Sequence, residues 1–137
     1  MPYLMKEEPS NYNYDAFAKD GGTTWTGVKN PVAQKNLRSV KKGDKIFFYH
    51  TGDEKAVVGV MKANSGPQPD PKSGDEKAIV IEVVPVRAFT NAVTLSRIKA
   101  QSKLASWDLV RNSRLSVMPV TDAQWQILEQ LARKPSE

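Results

Sequence analysis

Ile46-Phe47-Phe48-Tyr49-His50-Thr51-Gly52-Asp53-Glu54-Lys55-Ala56-Val57-Val58-Gly59-Val60-Met61-Lys62-Ala63 decides the fold class. Ile46 to His50 has strong β composition. Thr51-Gly52-Asp53-Glu54 reads as a turn, and Ala56 to Ala63 reads as a second strand. Two strands joined by so short a link should pair as a hairpin.

Upstream, Tyr3 to Glu8 is short and partly alternating, and Pro9 stops it, so a first strand is expected there. On it Leu4, Lys6 and Glu8 share one face, and Tyr3, Met5 and Glu7 share the other. Asn13 suits the N-cap of a helix from Tyr14 to Asp20, which Gly21 and Gly22 end. Asn30 and Pro31 suit the cap and first turn of a second helix, Val32 to Val40. Val32, Ala33, Leu37 and Val40 give that helix an apolar stripe, and Lys35 and Arg38 leave it a basic side. Lys42-Gly43-Asp44 then turns the chain into the hairpin.

Downstream, Asn64 to Glu76 is rich in proline and glycine and reads as a mobile loop, long enough to carry function. Ala78 to Val84 is a nearly continuous β-branched run, the pattern of a buried strand. Thr94 can cap a short helix, Leu95 to Gln101, while Leu104 to Val110 has no decisive pattern. Leu115 to Val120 reads as the last strand. Thr121-Asp122-Ala123-Gln124 matches a capping box for a final helix, with Val120 and Trp125 at the staple positions. Trp125, Leu128 and Leu131 form its buried stripe. Strands and helices mix without a regular βαβ alternation, so the expected class is α+β with a small curved sheet or barrel.

Composition narrows the function. A chain of 137 residues, 39% hydrophobic and 26% charged, fits one soluble globular domain over 1–137. It has no apolar run of about 18 residues, so no membrane partner is expected. The first residues lack a signal-peptide pattern, which makes a cytoplasmic location the default. Without cysteine there is neither a disulfide nor a thiolate metal site, and the single histidine, His50, argues against a catalytic zinc. No cofactor is expected. Glycine-rich phosphate loops and a G-x-S-x-G elbow are absent. The net charge of +5 permits a polyanionic partner. The densest basic group, Lys29, Lys35, Arg38, Lys41, Lys42 and Lys45, is also what a solvated helix face and turn look like.

The remaining candidates suit binding. Trp25-Thr26-Gly27-Val28-Lys29-Asn30-Pro31 can place a flat ring beside free backbone N–H groups, which suits a nucleotide. Hydroxyl residues and glycine surround Trp25, which favours stacking on a base over a role as core anchor. Asn30 can read a base edge with its amide or simply cap the helix. Tyr49 and His50 end an apolar strand before a turn, a rim position from which they can touch a ligand; a core tyrosine and a surface histidine are the competing reading. Lys6 with Glu8 can be an acid/base couple; an ion pair or a barrel-mouth hydrogen-bond set is the commoner reading of such a pair. Arg111 and Arg114 can hold phosphates or sit in solvent. Trp107 and Trp125 read as structural.

Five segments in order resemble the EVE domain, of the PUA-like superfamily. Leu4-Met5-Lys6-Glu7-Glu8-Pro9 is similar to the family's L-M-K-x-E-P, and Trp25-Thr26-Gly27-Val28-Lys29-Asn30 to W-x-G-V-R-N. Ala33-Gln34-Lys35-Asn36-Leu37-Arg38 with Lys42-Gly43-Asp44 follows, then Phe47-Phe48-Tyr49-His50-Thr51, similar to F-F-Y-H-S. Leu109 to Val120 resembles L-x-R-x-x-R-L-S-V-x-P-V. Lys29 stands where arginine is usual, Pro31 where tyrosine is common, and Glu7 where a small hydroxyl residue is common.

The resemblance implies a PUA-like β-barrel flanked by short helices. It also implies a non-catalytic module that takes a modified base, above all a modified cytosine in DNA, into a pocket by base flipping. Carried over residue by residue, the pocket is Lys6, Glu8, Trp25, Val28, Lys29, Asn30, Tyr49 and His50, with Ser116 at its edge. Lys35, Arg38, Arg111 and Arg114 are the phosphate contacts. A reader of modified RNA, an enzyme acting on a nucleobase or nucleotide, and a protein-binding adaptor are the alternatives.

Overall fold

In the computed structural model, residues 1–74 and 78–134 are described. The strands are β1 (Tyr3–Glu7), β2 (Thr23–Trp25), β3 (Lys45–His50), β4 (Ala56–Ala63), β5 (Gln68–Pro69), β6 (Ile79–Thr94) and β7 (Val117–Pro119). The helices are α1 (Tyr14–Asp20), α2 (Pro31–Arg38), α3 (Leu95–Lys99), α4 (Asp108–Arg111) and α5 (Asp122–Ala132), with a 3₁₀ turn at Ser102–Leu104. They build a curled mixed sheet in the order β2-β6-β4-β3-β1-β7, with β5 paired to β6. The expected hairpin is β3 with β4, antiparallel from Lys45↔Lys62 to His50↔Ala56. β1 runs parallel to β3, Met5 opposite Phe48 and Lys6 opposite Tyr49, and antiparallel to β7.

α2 spans the gap between β7, one end of the sheet, and β6 near the other, packing against both. Asn30 caps this helix: its Oδ1 accepts from the backbone N–H of Val32 at 2.9 Å and of Ala33 at 3.1 Å. The expected apolar stripe needs one correction. Val32 is exposed, and the buried positions of α2 are Ala33, Gln34 and Leu37. Gln34 replaces Val32 inside because it satisfies backbone groups that an apolar side chain would strand. Its Nε2 donates to the Val28 carbonyl at 2.6 Å and to that of Ile79 at 3.3 Å, and its Oε1 accepts from Ile79 N–H at 3.0 Å. Asn36 Nδ2 donates to the Val117 carbonyl on β7 at 2.8 Å.

The strand expected at Ala78 to Val84 continues to Thr94. Pro85 did not stop it because Pro85 lies opposite Met61, where the β4–β6 register shifts. A bulge tolerates a residue without an N–H. The loop from Asn64 contains β5, which pairs Gln68 with Val80; its residues 75 and 76 lie outside the described residues. The helix expected to Gln101 ends at Lys99, and the undecided Leu104 to Val110 holds the start of α4. The last strand is shorter than expected. The capping box at Thr121 and Gln124 is formed. Among the described residues no helix is long and apolar enough to cross a membrane.

The sheet is packed on both faces. On one, Phe48 meets Tyr14, Phe17, Trp25 and His50. On the other, Phe47 stacks on Trp125 at 3.6 Å between centroids and touches Phe89. Gly59 makes the first cluster possible. A Cβ there would stand 2.7 Å from Tyr14 Cε2 and 2.8 Å from the Arg87 carbonyl. Tyr14 is fixed in that place because its hydroxyl donates to the Val60 carbonyl at 2.7 Å. Gly59→Ala is therefore expected to cost about 1–3 kcal/mol through overpacking. A urea midpoint equal to that of the parent would contradict this packing account.

Candidate functional site

The tryptophan loop starts from β2, whose Trp25 pairs with Ile81 on β6. The Trp25 indole is 4% exposed and stands edge-on to Phe48, at 5.4 Å and 90°. That corrects the expectation of a largely free ring: the flanking threonines are surface residues, but the ring itself is seated in the core. One part of it still faces a hollow of about 200 Å³, lined by Glu7, Asn11, Tyr12, Thr23, Thr24, Trp25 and Thr26. A second hollow of about 510 Å³ adjoins it. Thr24 and Thr26 are shared, and Gln68, Pro69, Asp70, Pro71, Lys72, Val80 and Glu82 form its other walls.

The acidic residue in the first hollow is Glu7, not Glu8. Strand alternation explains this, because Glu7 lies on the Met5 side of β1 and Phe48 is Met5's neighbour on β3. Glu7 Oε1 accepts from Glu8 N–H at 2.9 Å and from Asn11 Nδ2 at 3.4 Å. Glu8 instead locks the end of β1. Its Oε1 accepts from the Ser10 hydroxyl at 3.1 Å and its Oε2 from the Thr51 hydroxyl at 3.2 Å.

Lys6 and Tyr49 belong to the opposite face. The Lys6 ammonium lies 5.5 Å from the Tyr49 ring centroid and donates to the Ser113 carbonyl at 2.9 Å. Burial holds the Lys6 pKa below the usual lysine value and pushes the Tyr49 phenol up to about 12. Lys6 N–H also donates to the Ser116 carbonyl at 3.0 Å. Lys6 thus pins the segment that carries the exposed Arg111 and Arg114. No ion pair joins Lys6 to Glu8 among the described residues.

Tyr49 and His50 were expected at a rim, and both are buried, at 3% and 7% exposure. The strand end is covered by α1 and by the turn after β3. His50 Nε2 accepts from Tyr14 N–H at 3.1 Å, and Nδ1 lies 2.7 Å from Glu54 Oε1. An N–H donor at Nε2 and a carboxylate at Nδ1 assign the neutral tautomer protonated at Nδ1. His50 is therefore the buried support of the first turn of α1. Lys29, Asn30, Lys35 and Arg38 are exposed, and Val28 is half-buried against the core. The predicted pocket residues are therefore not brought together. Trp25 stands beside Glu7, which is not among them; Lys6 stands with Tyr49 and Ser116; Asn30 stands with Val28 and Lys29 at the start of α2; and Glu8 and His50 are spent on the end of β1 and the first turn of α1. Sequence reasoning missed Asn11 and Tyr12 as lining residues and placed Glu7 only near the mouth of the pocket; the alternation of β1 is the signal that puts Glu7 in the hollow.

A family model described as the EVE domain matches residues 2–131. The chain belongs to the EVE domain family. Human thymocyte nuclear protein 1 is 27% identical over 135 residues, which cover 82% of this chain and 60% of that protein. The chain spans less than two thirds of that relative's length. A crystal structure of a protein from Agrobacterium tumefaciens is similar at a TM-score of 0.92 and 34% identity, over 96% of this chain and 92% of that one. A crystal structure of human THYN1 protein in complex with 5-methylcytosine-containing DNA is similar at a TM-score of 0.86 and 26% identity, over 98% of this chain and 99% of that one.

Within this EVE domain the residues that depart from the family pattern sit at open positions. Lys29 and Pro31 are exposed, and Glu7 lines the hollow. His50, which keeps to the pattern, is committed to the fold. His50→Phe keeps a ring against Phe48 but strands the Tyr14 N–H. It is expected to lose about 1–3 kcal/mol of stability. An unchanged thermal midpoint would show that the Tyr14 bond carries no weight.

Proposed function

We propose that this chain is a non-catalytic reader of nucleic acid that takes up a modified base, with a modified cytosine in DNA as its ligand. The observation that carries this reading is the likeness to human THYN1 protein in complex with 5-methylcytosine-containing DNA, which extends over 98% of this chain. The hollow beside Trp25 supports it in scale. At about 200 Å³ it lies below the roughly 300–1,000 Å³ of pockets for drug-sized ligands, and suits one ring more than a large cofactor. The commitment of the only histidine to Tyr14 and Glu54 removes the most versatile acid/base group from any catalytic role.

In this reading the base leaves the stack and enters the hollow, with Trp25 as its aromatic wall. Extrusion costs a few kcal/mol, and contact with an aromatic ring returns roughly 1–3 kcal/mol per base. Asn30 offers its amide N–H groups, because its oxygen is already engaged by the helix it caps. Val28 and Lys29 complete that edge of the site. Glu8 and His50 hold the wall from behind. Lys6, Tyr49 and Ser116 hold the loop that carries Arg111 and Arg114. Those arginines, with Lys29, Lys35 and Arg38, are the phosphate contacts, so affinity falls as salt rises.

Fluorescence anisotropy tests this with one short duplex carrying cytosine, 5-methylcytosine or 5-hydroxymethylcytosine at a central position, beside a matched RNA. The expected result is tightest binding to a modified DNA duplex. Trp25→Leu is expected to weaken that binding about tenfold, near 1.4 kcal/mol, with circular dichroism confirming the fold. Equal, weak, salt-sensitive binding to every duplex would overturn the reading. Preference for the RNA would move the ligand to the other nucleic acid.

A further inference from the structure

The hollow beside Trp25 holds a carboxylate, Glu7, with one oxygen unused. Glu7 Oε1 is held by Glu8 N–H and Asn11 Nδ2, while Oε2 accepts no hydrogen bond from the described residues. Two of the neighbouring hydroxyls turn their protons away from it. Tyr12 donates its proton to Asp20 Oδ2 at 2.8 Å, and Thr24 donates to Glu82 Oε1 at 2.7 Å. A carboxylate only accepts, so both of these hydroxyl protons are spent outward. Glu7 Oε2 is thus an acceptor left open to a ligand N–H.

We infer that Glu7 is a specificity residue, which makes the hollow accept a base carrying an exocyclic amine and reject its keto counterpart. This rests on the proposed reading of the hollow as a base site. Cytosine and adenine offer an amine, whereas thymine offers a carbonyl oxygen at the corresponding position. 5-Methylcytosine and thymine carry the same methyl group and differ on the edge beside it: an amine next to a bare ring nitrogen in one, a carbonyl next to a ring N–H in the other. Contact with the methyl group alone cannot separate them. Ease of extrusion favours the wrong one, because a thymine mispaired with guanine leaves the duplex more readily than a paired cytosine. A fixed carboxylate oxygen reverses that order. It accepts from the amine of 5-methylcytosine and meets the thymine carbonyl lone pair against lone pair. Glu7 stands where the resembling motif has a small hydroxyl residue.

The test uses three duplexes that differ only at one central base opposite guanine: cytosine, 5-methylcytosine and thymine. The unaltered protein and Glu7→Gln are titrated against each, and thermal melting checks that the variant is folded. The unaltered protein is expected to bind the 5-methylcytosine duplex about tenfold more tightly than the thymine duplex. In Glu7→Gln that ratio is expected to fall to within about twofold, because an amide can turn an N–H toward the carbonyl. Should Glu7→Gln not fold, Glu7→Ser is measured for the same ratio. An unchanged ratio in the variant, or an equal loss of affinity for all three duplexes, would overturn the role of Glu7 and leave the reader function standing. Failure of the unaltered protein to separate 5-methylcytosine from thymine would overturn the role of Glu7. Equal binding of 5-methylcytosine and cytosine, both tighter than thymine, would overturn the preference for a modified base alone. Failure to bind any duplex would overturn both the role of Glu7 and the reader function.

Discussion

The sheet of this EVE domain is open, and two amide side chains on one helix bridge the gap between β7 and β6. Gln34 bonds the backbone of Val28 and of Ile79, and Asn36 bonds the β7 carbonyl of Val117. Each bond adds only about 0.5–1.5 kcal/mol net, but losing one exposes a buried backbone group to a cost of about 1–3 kcal/mol. The curl of the sheet, the seat of the tryptophan loop and the position of the basic face of α2 all follow from this bridge. Asn30 then fixes where α2 begins, so the same few residues set both the barrel-like shape and the edge of the candidate site.

Around that frame the two faces of β1 and β3 do different work. The Phe48 face gathers Tyr14, Phe17, Trp25 and His50, and ends in the hollow with Glu7. The Phe47 face carries the Trp125 stack, then Lys6 and Tyr49, and ends at the loop with Arg111 and Arg114. The candidate base site and one group of candidate phosphate contacts therefore stand at opposite faces of the same two strands. Neighbouring residues on β1 serve both.

Local chemistry was legible in the chain. The caps at Asn13, Asn30, Thr94 and Thr121 all form, and the β3–β4 hairpin follows from composition and a short turn. The mixed class was legible from the irregular order of helices and strands. What depends on tertiary geometry was not. The strand expected to end at Val84 instead runs on through Pro85, where a register shift accommodates it. Threonines on either side of Trp25 suggest an open ring, but alternation turns the threonines outward and the indole inward. The two faces of β1 were evident from parity, while the face that meets Trp25 is set by the pairing of β2 with β6 on the far side of the sheet.

The place of β1 also orders how the molecule comes together in time. Residues 3–5 pair on one side with 46–48 and on the other with 117–119, so a strand made early is completed by one made late. Contacts so distant in sequence are slow to form, because a long loop must close before they are rewarded. During synthesis the β3–β4 hairpin can form while β1 still has an unpaired edge. Lys6 at that edge is a charge against premature pairing with another strand, and it finds its Ser113 partner only when the last strand is at hand.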